Sequence, residues 1–149
     1  MEAVVLCGIQ ATGKSTFCRD RFFASHVRVS MDMLKTRHRE GLLVQACIEG
    51  KQPFVVDNTN PSREERSRYI SAARSAGFRV VGYYFASRIS EALQRNGQRP
   101  ERERIPDVGV KGTSGRLQLP ARSEGFDELY YVRLNDGGGF DVQEWRDEV

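Results

Sequence analysis

Apolar residues fall into five short runs separated by longer stretches of mixed polarity. The runs Ala3–Cys7, Val27–Ser30, Phe54–Asp57, Arg79–Phe85 and Glu128–Leu134 predict β-strands. The first three are brief and rich in valine, as strands buried on both faces are. Helical patterns lie between the runs. Lys14–Ala24 carries Phe17, Phe22 and Phe23. Leu42–Glu49 carries Leu43, Ala46 and Cys47, and Gly50 stops it. Ser62–Ala76 has Glu64 and Glu65 in its first turn, where carboxylates suit the positive end of the helix dipole, and Gly77 ends it. A fourth helix starts over Ser90–Gln94. Strand and helix alternate, which predicts an α/β fold with a mainly parallel sheet.

Gln98–Pro120 breaks that rhythm. It holds Pro100, Pro106, Gly109, Gly112 and Gly115, and each glycine costs a helix about 1 kcal/mol relative to alanine. An irregular stretch of this length is expected to be a lid, roughly residues 95–120, or a binding loop, or else disordered. Gly137, Gly138 and Gly139 predict a flexible turn before an acidic tail over roughly 136–149, carrying Asp136, Asp141, Glu144, Asp147 and Glu148. The 149 residues read as one domain, with no internal boundary.

Composition narrows the class. Charged residues make up 29% and hydrophobic residues 39%, values outside the membrane and disordered ranges. No apolar run approaches the roughly 20 residues of a membrane span, and Glu2 stands where a secretory signal would be basic, so a cytoplasmic protein is expected. The net charge of +3 permits a polyanionic partner without requiring one. Cys7, Cys18 and Cys47 are an odd number without paired spacing and are expected as small buried residues rather than as disulfides or metal ligands.

The first strand runs into Gly8-Ile9-Gln10-Ala11-Thr12-Gly13-Lys14-Ser15, which fits G-x-x-x-x-G-K-[ST] at every fixed position. Gly8 and Gly13 let backbone N–H groups turn inward around phosphate oxygens. The helix that opens at Lys14 aims its unsatisfied N–H groups at the same anion. Lys14 adds a mobile charge for the β- and γ-phosphates, and Ser15 a hydroxyl ligand for Mg²⁺. Thr16 follows in the first turn. The motif predicts binding of ATP or GTP and leaves the fate of the phosphate open.

Two acids end strands on the side where open parallel sheets bind ligands. Asp32 follows Val27–Ser30 and suits either a general base toward an attacking hydroxyl or a helix N-cap. Asp57 ends the third strand and suits either the Mg²⁺ shell or the turn that Asn58, Thr59, Asn60 and Pro61 signal. Arg95, Arg99, Arg102 and Arg104 crowd into ten residues. Beside a phosphate-binding loop, such arginines suit a mobile lid that neutralises charge on a transferring phosphoryl group. Arg63, Arg66 and Arg68 accompany Glu64 and Glu65 on one helix and read as a solvated charged face.

In this order, Gly8–Ser15, Ser30-Met31-Asp32, Val56–Pro61, Arg95-Asn96 with Arg99, and Ile105-Pro106 resemble the P-loop polynucleotide 5′-kinases, above all the kinase domain of polynucleotide kinase/3′-phosphatases. Arg66, Arg68 and Tyr69 after the Asp57–Pro61 block, and Glu124-Gly125-Phe126 after Pro120, extend the likeness over most of residues 3–134. The resemblance implies a five-stranded mainly parallel sheet flanked by helices, ATP and Mg²⁺ as cofactors, and a 5′-hydroxyl polynucleotide, DNA or RNA, as acceptor. It implies catalytic roles for Lys14, Asp32 and Arg99, and nucleotide contacts from Gly8 through Thr16 with Arg95 and Arg99. Ser15 with Asp57, or Asn58 beside it, falls to the metal; Asp32, Lys35 and Asn58 fall to the acceptor, with Arg37 and Arg39 along a basic groove. A small-molecule kinase of the same fold and an ATP-binding module without catalysis are the alternatives. No D-x-D-x-T phosphatase motif occurs in the chain.

Overall fold

A computed structural model describes residues 1–146; Asp147 and Glu148 of the acidic stretch lie outside the described residues. Six strands form one sheet: β1 (Glu2–Cys7), β2 (Val27–Val29), β3 (Phe54–Val56), β4 (Arg79–Phe85), β5 (Glu128–Leu134) and β6 (Phe140–Glu144). Their order is β2-β3-β1-β4-β5-β6. The first five pair in parallel, and β6 returns antiparallel to β5, with Val132 opposite Val142. β1 lies at the centre, with Ala3 to Leu6 fully buried, so its run of apolar residues faces protein on both sides.

The pleat divides the core. Ala3, Val5, Val56, Val80 and Tyr84 face one layer, which holds α3 (Arg37–Glu49) and α4 (Arg63–Ser75) through Val44, Tyr69, Ile70 and Ala73. Val4, Leu6, Val55, Phe85 and Val132 face the other, where α1 (Lys14–Phe22) packs Phe17 and Phe22. Cys7, Cys18 and Cys47 are all buried. At Gly82 on β4 an added Cβ would stand 2.6 Å from the Phe126 ring, so a side chain here would push the segment before β5 off the sheet.

Helix starts follow their caps. Ser62 Oγ accepts the N–H of Glu65, and Thr36 Oγ1 accepts the N–H of Arg39. The second cap starts α3 at Arg37, five residues ahead of the apolar pattern; in that first turn Arg37, His38 and Arg39 are exposed and Glu40 turns inward.

Two stretches differ from the expectation. Asp107–Arg116, within the expected irregular lid, forms a helix, α6. Tertiary contacts offset its three glycines: Val110 is buried against Ile9 and against Ala92 of α5 (Ile89–Gln98). Asn96 clamps the connection by accepting the Ile105 N–H and donating to the Ile105 carbonyl. Residues 140–144, within the expected tail, form β6 instead. Phe140 and Val142 alternate with Asp141 and Gln143, a strand period, and both pack against the α1 layer. The flexible turn is the hairpin that joins β5 to β6, with the Asn135 N–H donating to the Gly139 carbonyl.

Among the described residues, no helix is long and apolar enough to cross a membrane.

Candidate active site

The carboxyl ends of β1, β2 and β3 open into one cavity of about 330 Å³. Gln10, Ala11, Gly13, Lys14, Ser15 and Thr16 form one wall, and Asp32, Asp57, Asn58 and Arg99 form much of the rest. The loop of residues 8–15 is held from below. The Gly8 N–H donates to Thr59 O and the Ile9 N–H to Ser87 Oγ. A side chain at Gly8 would press on Phe85 at 3.0 Å, and one at Gly13 on the Phe140 ring at 2.9 Å. Gly13 also sits at φ 95, a region that glycine enters without penalty. The β5–β6 hairpin therefore supports the loop from behind.

Lys14 is buried at 8% exposure, and its Nζ donates to Ile9 O at 2.6 Å. Burial lowers its pKa to about 8, and the charge of Arg99 adds to that; the carboxylates of Asp57 and Asp32 act the other way. Because Lys14 binds a proton less tightly here than in the unfolded chain, stability rises with pH between about 8 and its ordinary 10.5. A bound polyphosphate favours the ammonium, so the sign reverses for binding. Nucleotide affinity is expected to fall about tenfold per pH unit above pH 8, with a proton taken up on binding. Calorimetry at pH 9 in two buffers of different ionisation enthalpy measures that uptake.

Ser15 Oγ donates to Asp57 Oδ2 at 3.0 Å. A hydroxyl beside a carboxylate is a hard-oxygen donor pair that fits Mg²⁺, which takes few protein ligands and completes its shell with phosphate and water. Asp57 is buried and carries a partner that sequence reasoning missed: Arg28 Nε donates to the same Oδ2 at 2.8 Å. The one available signal was a charged residue between Val27 and Val29 in an apolar strand.

Asp32 sits in the first turn of α2 (Met31–Leu34), exposed toward the cavity. It does not cap that helix. Ser30 is the N-cap residue, and the Met31 N–H donates to Asn58 Oδ1 at 2.9 Å. Asp32 is thus free of a capping role and lines the cavity that Lys14 also lines.

The other expected site residues divide. Thr16 and Arg99 line the cavity. Arg95 lies over the loop, its Nη1 3.5 Å from Ala11 O, and is not among the lining residues. Lys35 ends α2 at φ 71, exposed and outside the lining. Asn58 lines the cavity, but its amide is engaged on both sides, with Oδ1 on α2 and Nδ2 on Glu40 Oε2 at 3.0 Å. Arg37 and Arg116 complete the positive rim, Arg116 reaching Glu65 at 3.1 Å.

Arg66 overturns the reading of its helix as a solvated face. It is fully buried, with Nε and Nη2 donating to the two oxygens of Glu124 and Nη1 donating to Asn60 O. Asn60 in turn donates to Leu6 O, so this pair fixes the Asp57–Pro61 segment against β1.

The AAA domain family matches residues 34–116 of this chain. The bifunctional polynucleotide phosphatase/kinase of Schizosaccharomyces pombe is 30% identical over 140 residues, covering 88% of the chain and 33% of that protein. The chain thus spans a third of the length of the curated relative it matches. Kti12 of Chaetomium thermophilum, solved in complex with ADP-AlF3, superposes with a TM-score of 0.68 at 14% identity, covering 90% of each chain. A gluconokinase from Sinorhizobium meliloti 1021 superposes with a TM-score of 0.60 at 16% identity, covering 87% of this chain and 82% of its own.

Proposed function

The chain belongs to the AAA domain family and has the fold of P-loop kinases, and from that premise we propose that it transfers the γ-phosphate of ATP to the 5′-hydroxyl end of a DNA or RNA strand. The observation that carries this reading is the placement of Asp32. Asp32 lines the same cavity as Lys14 and Ser15, and the first N–H of its helix is held by Asn58 rather than by its own carboxylate. A nucleotide-binding module that transfers nothing has no use for a carboxylate there.

Ser15 and Asp57 would hold Mg²⁺, which when bound offsets charge on the β- and γ-phosphoryl oxygens. The loop N–H groups and the start of α1 cradle the polyphosphate, and Lys14 leaves Ile9 O to donate to it. Asp32 accepts the proton of the attacking hydroxyl and aligns its lone pair with the phosphorus. Arg99, set on the α5–α6 lid beside Lys14, donates to the oxygens that gain charge during transfer. Arg37 and Arg116 present positive charge on the acceptor side, where a strand carries its first phosphodiester.

A polynucleotide is favoured over a small acceptor by the likeness to the phosphatase/kinase and by that pair of rim arginines. The test is transfer of labelled γ-phosphate to a panel of 5′-hydroxyl oligonucleotides and small hydroxylated acids at rising salt. Labelling of oligonucleotides is expected, with a KM that climbs steeply as salt rises. Labelling of small acids alone, without a salt slope, would overturn the polynucleotide assignment.

A further inference from the structure

Behind α2 lies a buried polar cluster centred on Glu40, a residue with no role of its own in the transfer. Glu40, on α3, is 2% exposed. Its Oε1 accepts from Tyr69 Oη at 2.7 Å and from Arg37 Nη1 at 2.9 Å. Its Oε2 accepts from Asn58 Nδ2 at 3.0 Å. Tyr69 Oη also accepts from Arg37 Nη1 at 3.0 Å. Burial, followed by the bond to Glu40, pushes the Tyr69 hydroxyl up to about 12, which keeps it a donor at neutral pH.

The donors and acceptors admit one arrangement. The Met31 N–H can only donate, and a carboxylate that accepts from Tyr69, Arg37 and Asn58 has no proton to give. Asn58 stands between them, and its amide must turn Oδ1 to Met31 and Nδ2 to Glu40. Glu40 therefore decides which way the Asn58 amide faces. That orientation supplies the acceptor for the first N–H of α2, and Asp32 is the next residue along. α2 is only four residues long; its own backbone bonds run from the Met33 and Leu34 N–H groups to Ser30 O and from the Lys35 N–H to Met31 O, and Asn58 is the side chain that takes its first N–H.

We propose that Glu40 is a positioning residue: through Asn58 it anchors the start of α2 and so sets the place of the Asp32 carboxylate. The proposal rests on the reading of Asp32 as the base. A buried pair of this kind needs both members to agree. In Glu40→Gln, an amide oxygen kept on Asn58 Nδ2 turns the amide N–H groups against Arg37 Nη1, and an oxygen kept on Arg37 and Tyr69 turns an N–H against Asn58 Nδ2, which can then escape only by flipping its own N–H against that of Met31. In Asn58→Asp alone, two carboxylates face each other. Exchanging both restores the pattern with the roles reversed. The introduced amide nitrogen then donates to one oxygen of the introduced carboxylate, and the amide oxygen accepts from Tyr69 and Arg37. The second carboxylate oxygen accepts from the Met31 N–H.

Three variants test this against the unchanged chain: Glu40→Gln, Asn58→Asp and the double exchange. For each, kcat, the acceptor KM, the nucleotide Kd and the melting temperature are measured, with Asp32→Asn run alongside. Displacing a reacting group by about 1 Å costs on the order of 100-fold, so each single variant is expected to lose about 10- to 100-fold in kcat. Nucleotide Kd should stay within about threefold, a split from kcat that general loosening of the fold would not produce; acceptor KM is read separately, because Glu40→Gln also removes the carboxylate partner of Arg37. The double exchange is expected to return kcat to within about fivefold of the original. Single variants that keep full kcat, or a double exchange that stays inactive, overturn the proposal while Asp32→Asn remains inactive. Full turnover in Asp32→Asn overturns the base assignment, and this proposal with it.

Discussion

Asp32→Asn is expected to lower phosphoryl transfer by about 10²- to 10⁴-fold, the usual contribution of a positioned general base. Asparagine keeps the size and reach of the side chain and loses the negative charge and, with it, the capacity to take a proton. The α2 start is untouched, because its first N–H goes to Asn58 and not to Asp32. The nucleotide is held by the loop wall, so its affinity should change by no more than a few-fold; removing one of the carboxylates that support the Lys14 ammonium accounts for that small change. Single-turnover transfer, measured beside nucleotide Kd, separates the two quantities. Turnover within tenfold of the original would mean that the hydroxyl is deprotonated elsewhere or needs no base. A parallel loss of nucleotide binding would mean that Asp32 belongs to the nucleotide half of the cavity.

The second large effect is on stability. Arg66→Met is expected to cost about 3–5 kcal/mol, because it leaves Glu124 with a largely buried, unpaired carboxylate. Against a typical domain stability of about 5–15 kcal/mol, that loss is severe. Its site consequence follows from Asn60, whose carbonyl accepts from Arg66 and whose amide reaches Leu6. The Asp57–Pro61 segment carries Asp57 toward the loop, so the variant should also weaken nucleotide binding at temperatures well below its melting point. Pairing Arg66→Met with Glu124→Leu removes both charges together and is expected to recover most of the stability. Urea unfolding of the single and paired variants gives the comparison. Similar midpoints for the single variant and the original would show that the ion pair contributes nothing net.

The same residues show how far a linear reading reaches. Arg66 and Arg68 lie on one helix, in one charged neighbourhood, two positions apart. Helical spacing separates them, since Arg66 shares a face with Tyr69, Ile70 and Ala73 at i+3, i+4 and i+7 while Arg68 is exposed; what spacing does not give is the partner, Glu124, 58 residues further on, that makes Arg66 a buried anchor. Arg28 is similar, since its partner Asp57 arrives through the pairing of β2 with β3. Asn58 stands in a motif whose resemblance implied contact with metal or acceptor, and in the fold both ends of its amide are taken. For α6 the local rule pointed the wrong way: glycine propensity argues against a helix, and the burial of Val110 against Ile9 and Ala92 outweighs it.

What was legible from the chain alone were features whose cause is local. Apolar runs of strand length, stop glycines and the spacing of the phosphate loop act through neighbours within a few residues, so five strands, most of the helices and the loop could be located before any contact was known. The placement of Asp32 at a strand's carboxyl end was legible too, because parallel sheets bring those ends to one edge. The fold alone decided which polar residues remain available for chemistry. A charged or amide side chain has one set of bonds to give, and whether they go to a substrate or to a distant backbone is settled when burial forces each buried donor and acceptor to find a partner.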